Sequence, residues 1–182
     1  MKKMHPIEAL IEQGEHQQLD FKFEVSDSKK IARTLSAFAN TDGGRLLIGV
    51  KDNGNISGVR SEEEYYMIEA ASKMYTRPEV PFEATRWEVN GKTVLEVYIA
   101  PSPDKPHTAP DKDDKFKAYI RVADENILAN EVLVLAWQKK HKPDGTLLKI
   151  SKPVERLFAY LDDHPHINIC LLYTSPSPRD CS

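Results

Sequence analysis

Apolar and polar positions recur along the chain with two periods, and the change from one to the other marks its elements. Pro6 to Gln13 places Ile7, Leu10 and Ile11 on one face of a short helix that Gly14 ends. Gln18 to Val25 then alternates: Leu19, Phe21, Phe23 and Val25 face one way, and Asp20, Lys22 and Glu24 the other. Ser26, Asp27 and Ser28 offer capping oxygens to a helix over Lys29 to Asn40, with Ile31, Leu35 and Phe38 as its buried stripe and Ala32 and Ala39 beside it. The next stretch, FANTDGGRLLIGVKDNGNISG from Phe38 to Gly58, frames the rest. A helix ends at Asn40, Gly43 and Gly44 supply a turn that needs positive φ, and Arg45 to Lys51 runs as a strand. Leu46, Leu47, Ile48 and Val50 make that strand nearly continuously apolar, the pattern of one covered on both faces. Asp52 to Asn55 is a tight turn by composition, and Ile56 to Val59 is predicted to return as the hairpin partner.

Downstream, Ser61 is placed to cap a helix running to Met74, with Glu62, Glu63 and Glu64 against its N-terminal dipole. Phe82 to Val89, the turn Asn90-Gly91, and Lys92 to Ile99 form the clearest hairpin. Pro101 to Lys115 reads as a long proline-rich charged loop, followed by a strand from Phe116 to Val122. Asn130 to Lys140 is predicted helical, carrying Val132, Leu133, Leu135 and Ala136 with Trp137 beside them. Lys142 to Gly145 breaks it, and Ser151 to Leu161 starts a new amphipathic helix through Val154, Leu157, Phe158 and Leu161. The expected fold class is α+β, a mixed β-sheet with packed helices over residues 1–142, then a linker over 143–150 and the start of a second domain over 151–169.

Composition narrows this picture. With 182 residues the chain has room for one ordinary domain and part of another. A net charge of −3 supplies no global basic field, so binding to nucleic acid has to use a local patch. No apolar window reaches membrane-spanning length and no signal-peptide core follows Met1, so a soluble, cytoplasmic protein without a membrane partner is expected. Cys170 and Cys181 are too few and too late for a disulfide framework. They lie in a tail, residues 170–182, that resembles the translation of a sequencing adapter and is read as non-native, the natural protein continuing past Ile169.

Two constellations carry chemistry. Asp20 and Lys22 lie two apart on a strand and project from the same face, and an acid-x-Lys pair with further acids is how many nucleases hold Mg²⁺ and activate water. Glu15 joins them only if Gly14 to Gln17 bends the chain, since five residues of straight strand turn it to the other face. The plainer alternative is a set of ordinary solvated acids. The second constellation is basic: Lys22, Lys29, Lys30, Arg33, Arg45 and Lys51 near the central strand, with Lys105, His107, Lys112 and Arg121 from the later loop and strand. Phosphate contacts need only positive charge and donors. The alternative there is scattered solubilising charge.

Leu19-Asp20-Phe21-Lys22, the central AFANTDGGRLLIGVKDNGNISG block and Tyr119-Ile120-Arg121-Val122 before a final helix together resemble the Schlafen AlbA-type domain, over about Met4 to His141. That module occurs in bacterial transcriptional regulators and in vertebrate Schlafen proteins. The resemblance implies a nucleic-acid-binding protein, most concretely a DNA-binding regulator, with a winged helix-turn-helix beginning at Ser151. Some Schlafen relatives cleave structured RNA with three carboxylates. Their positions here read Glu15, Asp20 and Asp52, so the resemblance also implies a metal-dependent endoribonuclease that uses Mg²⁺ or Mn²⁺, with Lys22 beside the acids. Asp20 stands where those relatives have Glu, one methylene shorter. Paired domains in the family imply a homodimer. A third reading, ATP binding, rests on Asp52-Asn53-Gly54 with Gly58, which lack a Walker lysine and a helix opening onto the glycines.

Overall fold

In the computed structural model, residues 4–59, 61–140 and 152–163 are described. Two compact units divide the chain, Met1–Lys142 and Pro143–Ser182. The first is built from α1 (Pro6–Ile11), β1 (Leu19–Lys22), α2 (Ser28–Asn40), β2 (Gly44–Ile48), α3 (Glu63–Tyr75), β3 (Glu83–Val89), β4 (Lys92–Ile99), β5 (Thr108–Pro110), β6 (Phe116–Val122), β7 (Glu125–Leu128) and α4 (Glu131–Lys140). Within the second unit the described segment is α5 (Lys152–Asp163). The expected linker, the side chains of Val154, Leu157 and Phe158, and the 170–182 tail with its cysteines lie outside the described residues.

A four-stranded mixed sheet in the order β1-β2-β4-β3 forms the centre. β1 runs parallel to β2 with Asp20 opposite Leu46, and β4 is antiparallel to both β2 and β3. Both faces of β2 are covered, as its apolar run predicts. Leu46 and Ile48 pack with Ile31, Leu35 and Phe38 of α2, whereas Leu47 joins Ile7 of α1, Leu19, Phe21 and Val94 on the opposite face. β5, β6 and β7 form a separate antiparallel sheet that packs on α2. Helix α2 therefore lies between two sheets, and its burial extends beyond one stripe to Thr34, Ser36 and Asn40.

The double glycine divides its work differently from expectation. Gly43 holds φ +69°, and a Cβ there would stand 2.6 Å from the Ile99 carbonyl oxygen. Gly44 needs no positive φ; a Cβ there would meet the Phe38 ring at 2.5 Å, so its requirement is close approach of strand to helix.

Two readings of the pattern are corrected, and one strand appears that it did not predict. Ile56 to Val59 forms no strand; a single bridge joins Val50 to Ile56, and β2 takes β4 as its antiparallel neighbour instead. The Pro101 to Lys115 loop contains β5, short and ended by Pro110 as edge strands tolerate. β7 follows β6 through Ala123 and Asp124, where Ala123 holds φ +53° without the glycine or asparagine that usually signals such a turn. Among the described residues no helix is long and apolar enough to cross a membrane.

Candidate nucleic-acid interface

The acids come first, because the backbone bends to bring two of them together. Gly14 turns the chain at φ +71°, and His16 and Leu19 exchange backbone hydrogen bonds of 2.9 and 3.1 Å in a tight reversal. Glu15 is thereby folded back alongside β1, where its Oε1 accepts the Phe21 N–H at 2.9 Å. Burial raises the Glu15 carboxyl above its ordinary range; the Phe21 N–H opposes that shift and the adjacent Asp20 carboxylate adds to it.

Asp20 is 3% exposed and stands between two cations. Arg121 Nη2 donates to its Oδ1 at 3.0 Å, and Lys22 Nζ lies 2.9 Å from its Oδ2. The Lys22 contact is an ion pair without aligned hydrogen-bond geometry, since Oδ2 has no hydrogen-bond partner and Lys22 Nζ donates to the Phe21 carbonyl at 2.7 Å. Asp52 is exposed in the turn after β2. Among the described residues no group of three His, Cys, Asp or Glu side chains is placed to hold a metal ion. A divalent cation does not fit this arrangement, because the buried carboxylate already has two positive partners. The turn carrying Asp52 closes on itself, Gly54 N–H donating to the Lys51 carbonyl at 2.8 Å.

Two residues expected to meet phosphate are corrected by their burial. Arg121 is 2% exposed and its guanidinium is turned into the fold, where Nε has no hydrogen-bond partner. It reaches Asp20, donates through Nη1 to Asn126 Oδ1 at 3.1 Å, and lies over the Phe38 ring at 5.2 Å. His107 is also 2% exposed, with Nδ1 2.9 Å from the Pro78 carbonyl and Nε2 2.7 Å from Ser102 Oγ. Burial pushes the His107 ring below its ordinary range, which keeps a core imidazole neutral.

The remaining cations divide between one cleft and four positions outside it. Lys22, Lys30, Arg33 and Lys112 line one open cleft of about 750 Å³ between α2, the end of β1 and the β5–β6 turn. Lys117, which the sequence reading passed over, lines it too, and Thr34 and Asn126 join them through a 2.9 Å hydrogen bond from Asn126 Nδ2 to Thr34 Oγ1. Acids share the lining in equal number, Glu24, Asp27, Asp111, Asp113 and Glu125 against the five cations. Asp27 is committed to the N-terminus of α2, accepting from the Lys29 and Lys30 N–H groups, and Asp111 to the N–H groups of Asp113 and Lys115 and to Lys117 Nζ at 2.6 Å. Lys29 pairs with Asp114 at 2.6 Å. Arg45 lies elsewhere, paired with Glu96 at 2.8 Å and stacked over Tyr98. Lys51 is over Phe23, and Lys105 donates to the Thr41 carbonyl at 3.1 Å. Of the basic strip foreseen from sequence, four residues line one cleft, four lie outside it and two are buried.

A mixed sheet backed by α2, with an acid-x-Lys strand parallel to a strand opened by a double glycine, defines an α+β module. The chain belongs to the Schlafen, AlbA_2 family, whose sequence model matches residues 15–130. Its fold is similar to that of the DIP2311 protein from Corynebacterium diphtheriae, at 21% identity and a TM-score of 0.52 over 74% of this chain. The chain spans 29% of the length of that protein. A second solved structure, the N-terminal domain of a RecG-related protein from Nitrosomonas europaea, aligns at 22% identity and a TM-score of 0.43, covering 70% of this chain and 97% of that one. No curated protein sequence matches the chain.

Proposed function

We propose that this chain is a nucleic-acid-binding module that grips backbone phosphates through the cleft beside α2, and that it serves a DNA-binding transcriptional regulator. The observation that carries the reading is convergence: β1, α2 and the β5–β6 turn, distant in sequence, bring five cations to one opening beside five acids, and of its lysines Lys30 and Lys112 form no salt bridge among the described residues. Family membership supports nucleic acid as the partner, and on this reading α5 begins a winged helix-turn-helix. Because acids share the lining, only two or three phosphates are engaged. The salt dependence then has a slope of about −2 to −3 in log K per log salt on duplex DNA.

The full chain is incubated with end-labelled duplex DNA and with tRNA across a salt series, with and without Mg²⁺. The expected result is intact, retarded DNA whose binding falls with salt and weakens in the Lys30→Gln/Lys112→Gln double variant. Retardation that the double variant leaves unchanged, or none at low salt, overturns the cleft as the contact surface.

The alternative, metal-dependent endoribonuclease action, has less support: Glu15 and Asp20 are adjacent, but Asp20 already pairs with Arg121 and Lys22, and among the described residues no three acids are placed to hold a metal ion. Mg²⁺- or Mn²⁺-dependent cutting of tRNA that Asp52→Ala abolishes would replace the binding reading with this one.

A further inference from the structure

Away from the α2 cleft, the loop after β4 and the last turn of α4 enclose a second hollow of about 160 Å³, lined by Ser102, Pro103, Lys105, Trp137 and Lys140. Its polar groups are unequally committed. Ser102 Oγ already accepts the Asp104 N–H at 3.1 Å and contacts His107 Nε2 at 2.7 Å, so its proton is used within the fold. Lys105 is half-buried and spends one donor on the Thr41 carbonyl, which leaves two of the three that an ammonium carries. Lys140 is exposed at the rim. Neither lysine forms a salt bridge among the described residues. Burial pushes the Lys105 ammonium below its ordinary range, the Asp42 carboxylate opposes that shift, and Lys140 adds to it. Two ammoniums that disfavour each other beside a half-buried indole are a frame completed by an anion attached to a flat ring.

We propose that this hollow is the phosphate end of a nucleotide site: its space of about 160 Å³ takes a phosphomonoester between Lys105 and Lys140, and the attached base lies at its mouth against Trp137. Lys105 supplies the inner donors, fixed by its bond to Thr41, and Lys140 closes the rim as the phosphate enters. Pro103 adds an apolar wall, so a bare anion gains charge contacts here but a nucleotide gains stacking as well. The inference does not depend on the α2 cleft, because its probe is a mononucleotide and its reporter is a residue outside that cleft.

Trp137 makes the test direct. In a Trp87→Phe background of the full chain, Trp137 is the remaining tryptophan and its emission reports the hollow. Titration with adenosine monophosphate is expected to quench it saturably, while adenosine without phosphate does not. Lys140→Gln, a change at an exposed position, weakens the titration about fivefold, the size of one solvent-exposed charge contact. A 5′-phosphorylated oligonucleotide compared with its 5′-hydroxyl twin tells whether a polymer end or a free nucleotide is the preferred source of the phosphomonoester. Equal quenching by adenosine and its monophosphate, no quenching by either, or a titration that Lys140→Gln leaves unmoved overturns the site. Loss of duplex binding in the α2-cleft variants leaves this result unaffected, so the two readings fail separately.

Discussion

The ionic cluster around Asp20 and the cleft beside α2 are built from the same residue types and do opposite things with them. In the cluster every charge has an internal partner: Asp20 with Arg121 and Lys22, Arg121 with Asn126 and the Phe38 ring. Across α2, Lys30 and Lys112 face an open cleft, and neither forms a salt bridge among the described residues. Asn126 and Lys22 belong to both regions, so the buried network helps to hold the cleft in shape. What separates a charge committed inside the fold from one left available is the distribution of its partners, which residue identity alone does not encode. That contrast can be attacked from either side.

The largest effect belongs to the buried side. Arg121→Met leaves Asp20 with one cation and a poorly aligned one, and removing one member of a buried pair costs about 3–5 kcal/mol. Adding Asp20→Asn to that variant is expected to restore much of the loss, because the uncompensated charge is then gone. Urea unfolding of the two single variants and the double variant measures the coupling. A cost below about 1 kcal/mol for Arg121→Met would place the pair among exposed bridges and dissolve the distinction between the two regions.

A smaller effect, set by pH, belongs to the border between them. Asp111 stands on the cleft lining, and its carboxyl is held down from its usual 3.8 to about 2, first by Lys117 and then by the N–H groups of Lys115 and Asp113. A carboxyl depressed by folding adds stability that is fully present above the unfolded value and is lost as pH falls through the folded one. The urea midpoint is therefore expected to drop between pH 4 and about pH 2, and Asp111→Asn is expected to flatten that part of the profile. An unchanged profile in the variant would show that Lys117 is unpaired in solution and adds a further free cation to the cleft.

The sequence pattern already outlines much of the central sheet and little of the network. β2 is legible because continuous apolar residues demand cover on both faces, and the β3–β4 hairpin because Asn90-Gly91 meets the turn's conformational need. β7 is illegible for the converse reason: Ala123 holds a positive φ that its chemistry does not advertise. Asn40 reads as a helix end, yet its amide donates to the His107 and Tyr119 carbonyls at 2.7 and 2.8 Å while its Oδ1 accepts the His107 N–H. Those partners lie 67 and 79 residues away, beyond the reach of any periodicity. The candidate site divides in the same way. The acid-x-Lys pair is a local pattern and is visible; that Arg121 would be drawn in to neutralise it depends on the second sheet crossing α2. Lysines are read as exposed on base rates, which succeeds for Lys30 and Lys112, while the same reasoning misplaces Arg121 and His107.

The smallest effect on the fold is expected where the effect on binding is most specific. Lys30 is exposed on α2, its backbone capped by Asp27, and its ammonium lines the cleft without a salt bridge among the described residues. Lys30→Gln keeps the aliphatic stem and its helix propensity, so stability is expected to stay within about 0.5 kcal/mol of the parent. If the ammonium neutralises one phosphate, the same change lowers the magnitude of the salt slope by about 0.9 and weakens binding alike on every duplex sequence, because a phosphate contact carries no base information. Retardation assays on two unrelated duplexes across a salt series read both quantities. A loss confined to one duplex would assign Lys30 to base recognition, and a slope that does not change would return it to the solvated surface of α2.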